Sequence, residues 1–266
     1  MNEQISPVLW HIEDGVGHIT LNRPSAANAI NSAFAEAFST AVAQAVRANV
    51  GAILISSTGK QFCAGGDIRE FEEKRNQLDR LVQTLLDWLN PALATLASVP
   101  VPVISAVQGP LGGAGIAVAL CADIVVASSD IKLRGGYSAI GLSPDLGASF
   151  FLARRSSSAY AKYLLMSNKV VLAEECLQRG LVDELVAPET LAEVSRAMAV
   201  ALARGATGAL GGIKRLCDQA ATNDLVSHLN LERQALLRCA VSNDAREGIN
   251  AFLDKRAPKF TDNRLS

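Results

Sequence analysis

Val103-Ile104-Ser105-Ala106-Val107-Gln108-Gly109-Pro110-Leu111-Gly112-Gly113-Ala114-Gly115 is the stretch from which the architecture reads most directly. Its first five residues are apolar or small, as a buried strand requires. Gly109 to Gly113 then reads as a glycine-rich turn, Ala114 to Cys121 as a helix, and Ile124 to Ala127 as a further strand. Strand, turn, helix and strand in that order describe a right-handed βαβ unit. Upstream, Ala52-Ile53-Leu54-Ile55-Ser56 predicts another buried strand, followed by a loop from Ser57 to Gly66 and a long helix from about Leu78 to Ala97. Two β-type runs, Val8 to Glu13 and Val16 to Leu21, flank Asp14-Gly15 and predict a hairpin. Ser32 is placed to cap a helix through about Arg47. Beyond Ser156 the pattern turns mainly helical, with a short strand near Val182 to Val186, a hinge at Gly205 to Gly212 and a charged, amphipathic tail from Leu225. The expected organisation is an α/β core over residues 1–200 and a helical C-terminal region over 201–266.

Composition narrows the function classes. The chain has 266 residues, 49% hydrophobic and 19% charged, enough to bury a large core and unlike a disordered chain. A formal net charge of -1 leaves no basic excess for a nucleic-acid backbone. The apolar runs are broken well short of a membrane span. The five cysteines, Cys63, Cys121, Cys176, Cys217 and Cys239, lack the spacing of zinc or redox motifs and read as reduced thiols. Met1 to Trp10 carries no secretory pattern, so a cytoplasmic protein is expected.

Several familiar motifs fail. The glycines at 112, 113 and 115 follow a strand but do not complete the dinucleotide fingerprint. Gly59-Lys60 lacks the rest of a phosphate-binding loop, and there is no Gly-x-Ser-x-Gly elbow. The three histidines, His11, His18 and His228, have no spacing that suggests a metal site, and none is expected.

Two segments are informative together: Phe62-Cys63-Ala64-Gly65-Gly66-Asp67-Ile68 and the stretch quoted above. With Leu21-Asn22-Arg23-Pro24, Cys121-Ala122-Asp123-Ile124 and Phe252-Leu253-Asp254-Lys255-Arg256 they run the length of the chain in order. In these five segments the chain resembles the crotonase superfamily, the enoyl-CoA hydratases and isomerases. The resemblance implies a ββα spiral core with a helical trimerisation region, an acyl-CoA thioester as substrate with no further cofactor, and a homotrimer or a hexamer built as a dimer of trimers. It places Gly66 and Gly113 at the two oxyanion-hole positions. The chemistry agrees: enolising a thioester puts charge on its carbonyl oxygen, which preorganised N–H donors stabilise, and donors without a Cβ approach closely. If Gly113 opens a helix, the helix dipole adds to this. The bland alternative is that the glycines serve only turns and packing.

The carboxylates separate the activities within that family. The positions of the two hydratase glutamates fall on Ile116 and Tyr137, neither of which can act as a carboxylate base. Asp145, in Gly141-Leu142-Ser143-Pro144-Asp145-Leu146-Gly147, instead matches the single acid of the double-bond isomerases and of the ring-opening isomerases of phenylacetate breakdown. That resemblance implies a 3-enoyl-CoA to 2-enoyl-CoA isomerase with Asp145 as proton shuttle. The alternative role for Asp145 is a helix N-cap. Asp67 and Asp123 read as structural, Asp67 as a cap or loop tie. A related dehalogenase needs a histidine where this chain has Asn90. Tyr137 either lines the acyl pocket or packs. The resemblance further assigns CoA contacts to Arg23, Ala27, Ala64, Ile68, Phe252 and Lys255, the last two in some members from a neighbouring subunit. Rival readings are a hydratase with atypical residues and a non-catalytic acyl-CoA or RNA-binding member.

Overall fold

The computed structural model describes residues 6–261. The hairpin of β1 (Val8–Glu13) and β2 (Val16–Leu21) turns through Asp14 and Gly15, whose φ values of 52° and 78° are those a two-residue hairpin turn demands. Then come α1 (Ser32–Arg47), β3 (Ala52–Ser57), α2 (Ile68–Glu73), α3 (Leu78–Ser98), β4 (Val103–Val107), β5 (Pro110–Gly112), α4 (Ala114–Leu120), β6 (Ile124–Ser128) and β7 (Lys132–Arg134). The chain continues with α5 (Ala148–Arg155), α6 (Ser158–Ser167), β8 (Val170–Leu172), α7 (Ala173–Gln178), β9 (Glu184–Val186), α8 (Leu191–Ala203), α9 (Thr207–Ala220), α10 (Leu225–Ala240) and α11 (Asn243–Leu253).

β1-β2-β3-β4-β6-β9 form a six-stranded sheet, parallel except for the opening hairpin. The period of two sorts its side chains onto two buried faces. Ile19, Ile53, Ile55, Val103, Val107 and Val125 join the main core, which includes α1, α3 and α4. Val16, Leu54, Ile104, Ala106 and Val126 face α8, which closes the other side. With both faces covered the strands read as continuous apolar runs, which is why the sequence exposes them. A second, three-stranded sheet orders β5-β7-β8.

This second sheet is the main departure from the sequence reading. Gly109 to Gly113, expected as a turn, contains β5, and β7 and β8 were not foreseen. Each of the three strands has three residues and buries only or chiefly its middle one (Leu111, Leu133 and Val171), too short a pattern to alternate. The α1 cap is also one residue earlier: Asn31 accepts from Phe34 N–H at 3.0 Å, and Ser32 is the first helical residue. Ser32 instead presents its N–H and hydroxyl to Glu70, at 3.0 and 2.7 Å, pinning α2 to the start of α1. Gly205 to Gly212 is not a hinge, because α9 begins at Thr207 and runs through three of its glycines. A Cβ on Gly211 would stand 2.4 Å from the Pro100 carbonyl oxygen, so this glycine lets α9 lie against the chain entering β4. The boundary expected at residue 200 falls inside α8. Among the described residues no helix is long and apolar enough to cross a membrane.

Candidate active site

Two loops far apart in sequence run side by side beyond β3 and β4. Phe62 N–H donates to Gln108 O at 2.9 Å, Gly112 N–H donates to Cys63 O at 3.1 Å, and Cys63 pairs with Leu111 in a parallel bridge. On its other side the first loop is held by residues 27–30: Ala64 N–H donates to Ala27 O, Ile30 N–H to Gly65 O and Asp67 N–H to Ile30 O, at 2.8 to 3.0 Å. Missing side chains allow this proximity. A Cβ on Gly65, which has φ of 94°, would lie 3.0 Å from Gly112 O, and one on Gly115 would lie 2.5 Å from Cys63 O. Gly66 and Gly113 are thereby brought to neighbouring positions on the two loops.

The two backbone donors differ. Gly66 N–H makes no hydrogen bond among the described residues. Gly113 caps α4 with φ of 51°, and its N–H is engaged by Gly135 O at 3.0 Å and Arg134 O at 3.3 Å. The sequence places these glycines at the two oxyanion-hole positions by resemblance; in the structure Gly66 N–H is unengaged among the described residues, and Gly113 N–H faces the carbonyls of Arg134 and Gly135. Those carbonyls belong to the last residue of β7 and the glycine that follows it, and β7 is the strand the sequence did not reveal.

Asp145 lies in the loop before α5, and its side chain is not a cap: Gly147 occupies that position. Its Oδ1 accepts the Tyr137 hydroxyl at 2.7 Å. Tyr137 is buried and begins a single turn, Tyr137–Ile140, after β7. The chain bends sharply after Asp145 through Leu146 (φ 51°) and Gly147 (φ 86°). A left-handed leucine costs roughly 1–2 kcal/mol, a local strain next to the carboxylate. Burial raises the Asp145 pKa, and the Tyr137 hydrogen bond opposes that rise by favouring the anion. The tyrosine pKa is pushed up by its own burial and then by the carboxylate beside it. The pair is therefore a phenol donating to a carboxylate of heightened basicity. Ile116 is fully buried in the main core. A cavity of about 570 Å³ lined in part by Cys121, Asp123, Phe150 and Lys214 touches none of Gly66, Gly113 or Asp145.

The sequence profile described as enoyl-CoA hydratase/isomerase matches residues 11–263. The chain belongs to that family. The 1,2-epoxyphenylacetyl-CoA isomerase of Escherichia coli (strain K12) is 36% identical over 256 residues, 96% of this chain and 98% of that protein. The trans-2-decenoyl-[acyl-carrier-protein] isomerase of Streptococcus mutans is 31% identical, covering 96% and 97%. A Rhodobacter capsulatus protein named as an enoyl-CoA hydratase is 33% identical over the same shares. A crystal structure of an enoyl-CoA hydratase/isomerase from Mycobacterium abscessus superposes with a TM-score of 0.92 at 32% identity, covering 96% of this chain and 99% of that one. Isomerase and hydratase names thus both occur among the family members similar to this chain.

Within this enoyl-CoA hydratase/isomerase fold the remaining expected residues fall into two groups. Ala27, Ala64 and Ile68 sit together at the first loop; Ala64 and Ile68 are exposed. Arg23 is beside them but committed: its guanidinium pairs with Asp67 at 3.0 Å and also donates to Ala29 O. Asp67 both caps α2, accepting from Arg69 N–H at 3.1 Å, and ties the loop through Arg23, so both structural roles read from the sequence are present. Phe252 and Lys255 are at the far end of the chain, Phe252 on α11 and 84% exposed, Lys255 just after it with φ of 53°. No hydrogen bond or ion pair joins either to the loops among the described residues. Asp123 is structural: it accepts Val103 N–H at 2.8 Å and the Lys214 ammonium at 2.9 Å.

Proposed function

We propose that the chain is an acyl-CoA isomerase that shifts a double bond from C3–C4 to C2–C3 of an enoyl-CoA. The Tyr137–Asp145 pair supports this most. One carboxyl, made more basic by burial, accepts the hydroxyl of Tyr137, whose neighbour Gly136 lies against Gly113 (a Cβ there would stand 3.8 Å from Gly113 N), while the positions of the two hydratase glutamates hold Ile116 and Tyr137. Oδ1 of Asp145 is occupied by the tyrosine, so Oδ2 takes the proton from C2. The electrons move to the thioester oxygen, giving a dienolate. Gly66 N–H meets that oxygen directly. Gly113 N–H joins it when the thioester oxygen replaces Gly135 O, an exchange eased by the two glycines at 135 and 136. The protonated Asp145 then returns the same proton to C4, and the 2-enoyl-CoA leaves. No water is added and no cofactor beyond the substrate's own CoA is used.

Ala27, Ala64 and Ile68 line the CoA channel in this reading, with Arg23 bracing it through Asp67. Phe252 and Lys255 serve a neighbouring subunit in a homotrimer or a dimer of trimers. The hydratase names among the relatives keep a second reading in view, water addition with atypical residues. A two-substrate assay separates them. Offered 3-hexenoyl-CoA and crotonyl-CoA in turn, the protein is expected to conjugate the first and leave the second unhydrated. Hydration of crotonyl-CoA at the faster rate would refute the isomerase reading, and turnover of neither would favour a non-catalytic acyl-CoA-binding protein.

A further inference from the structure

The β1–β2 hairpin carries a second cluster of chemically capable side chains, on the opposite edge of the sheet from β9. His11 and Glu13 are two residues apart on β1, so both leave the same face. His18 is the direct cross-strand partner of His11. The two imidazoles stack with centroids 4.5 Å apart and 7° between planes. One ligating atom from each of His11, Glu13 and His18 can be chosen so that all lie within 4.8 Å of one another. The spacing of seven along the chain hid this pairing, yet the turn at Asp14-Gly15 sits midway between the two histidines.

His18 is the anchor. It is only 7% exposed, and its Nε2 is buried with no hydrogen-bond partner among the described residues. An unpartnered buried nitrogen bears a desolvation cost that a bound cation removes. His11 and Glu13 are exposed; His11 already stacks on His18, and Glu13 is held by an ion pair with Arg196 that cation binding would exchange. A tetrahedral ion with bonds of about 2.0–2.1 Å needs its donors roughly 3.4 Å apart, a small closure for two exposed side chains.

We propose that His11, Glu13 and His18 form a binding site for one divalent cation of the zinc class, with water completing the coordination. Two imidazoles and one carboxylate suit that class better than Mg²⁺ or Ca²⁺, which take oxygen ligands. Arg196 on α8 now pairs with both Glu13 and Asp14 at 3.0 Å. Cation binding draws Glu13 away, and Asp14 keeps the arginine. The ion thus fastens the two hairpin strands together, independently of the acyl-CoA site.

The test is calorimetric titration of the full-length, tag-free protein with ZnCl₂, with thermal melting in parallel. The expected result is one Zn²⁺ per chain and a higher melting temperature. His11→Asn and Glu13→Gln, both at exposed positions, should each weaken binding by about tenfold or more. Arg196→Ala, which frees Glu13 and removes a nearby positive charge, should tighten it, and His228→Asn should bind like the wild type. Co²⁺ should give the visible absorption of a low-symmetry site in the wild type and lose it in His11→Asn. The absence of saturable Zn²⁺ binding would overturn the proposal. So would binding that His11→Asn and Glu13→Gln leave unchanged, which would place the ion elsewhere.

Discussion

Asp145 and Tyr137 are eight positions apart and meet because the chain turns twice between them, through the Tyr137–Ile140 turn and the positive-φ Gly141. Replacing Tyr137 with Phe removes the donor that stabilises the Asp145 anion. The carboxyl pKa, already raised by burial, should rise further, so the acidic limb of the kcat/KM profile moves to higher pH. Activity is then lost first at low pH and recovers as pH rises; a profile that does not move would remove the tyrosine from the mechanism. The same burial has a consequence for stability. A folded-state pKa above the unfolded value means that ionised Asp145 opposes folding, and this penalty grows as pH rises from the unfolded pKa through the folded one. Asp145→Asn keeps an oxygen for the Tyr137 hydroxyl without the charge. It should match the wild type in acid and melt at a higher temperature at neutral pH, as differential scanning calorimetry would show. The candidate base was read from the resemblance to the family's isomerases over Gly141 to Gly147. Its partner was not, since a turn's hydrogen bond depends on dihedral angles that no residue pattern fixes.

At the level of elements, glycine has opposite meanings within one helix. Gly211 of α9 faces Pro100 O, where a Cβ would come within 2.4 Å, whereas Gly212 has nothing within 4 Å. Gly211→Ala should destabilise the chain by about 2–4 kcal/mol despite alanine's better helix propensity. Gly212→Ala should stabilise it by about 0.5–1 kcal/mol. Denaturant unfolding of the two variants measures both, and equal effects would refute the docking of α9 through Gly211. A glycine run reads as a hinge from sequence because backbone freedom is its local property; that one member is needed for contact with a segment 111 residues away is not. The strands of the large sheet were legible because they are buried on both faces. The short strands β5, β7 and β8 were not, and with them went the partners of Gly113 N–H.

Across the whole molecule, α10 and α11 expose an apolar surface that the other described residues do not cover. Leu225, Val226, Leu236, Val241, Phe252 and Leu253 are each 70% or more exposed. Patches of this kind mark association sites. The protein should therefore sediment as a multiple of the 28.0 kDa chain, and Leu236→Glu should shift it toward smaller species. A wild-type species of 28.0 kDa at micromolar concentration would contradict this. The linear order of motifs made the family legible from one end of the chain to the other, but an amphipathic tail does not by itself say how many copies meet.

In the proposed mechanism one carboxyl performs both proton transfers while backbone donors hold the enolate. The most direct measurement is the turnover of 3-hexenoyl-CoA by Asp145→Asn, beside calorimetric binding of an unreactive acyl-CoA to the same variant. Loss of isomerisation by about 10²–10⁴-fold with affinity retained is the predicted result. Isomerisation at the wild-type rate by a folded Asp145→Asn protein would contradict the account.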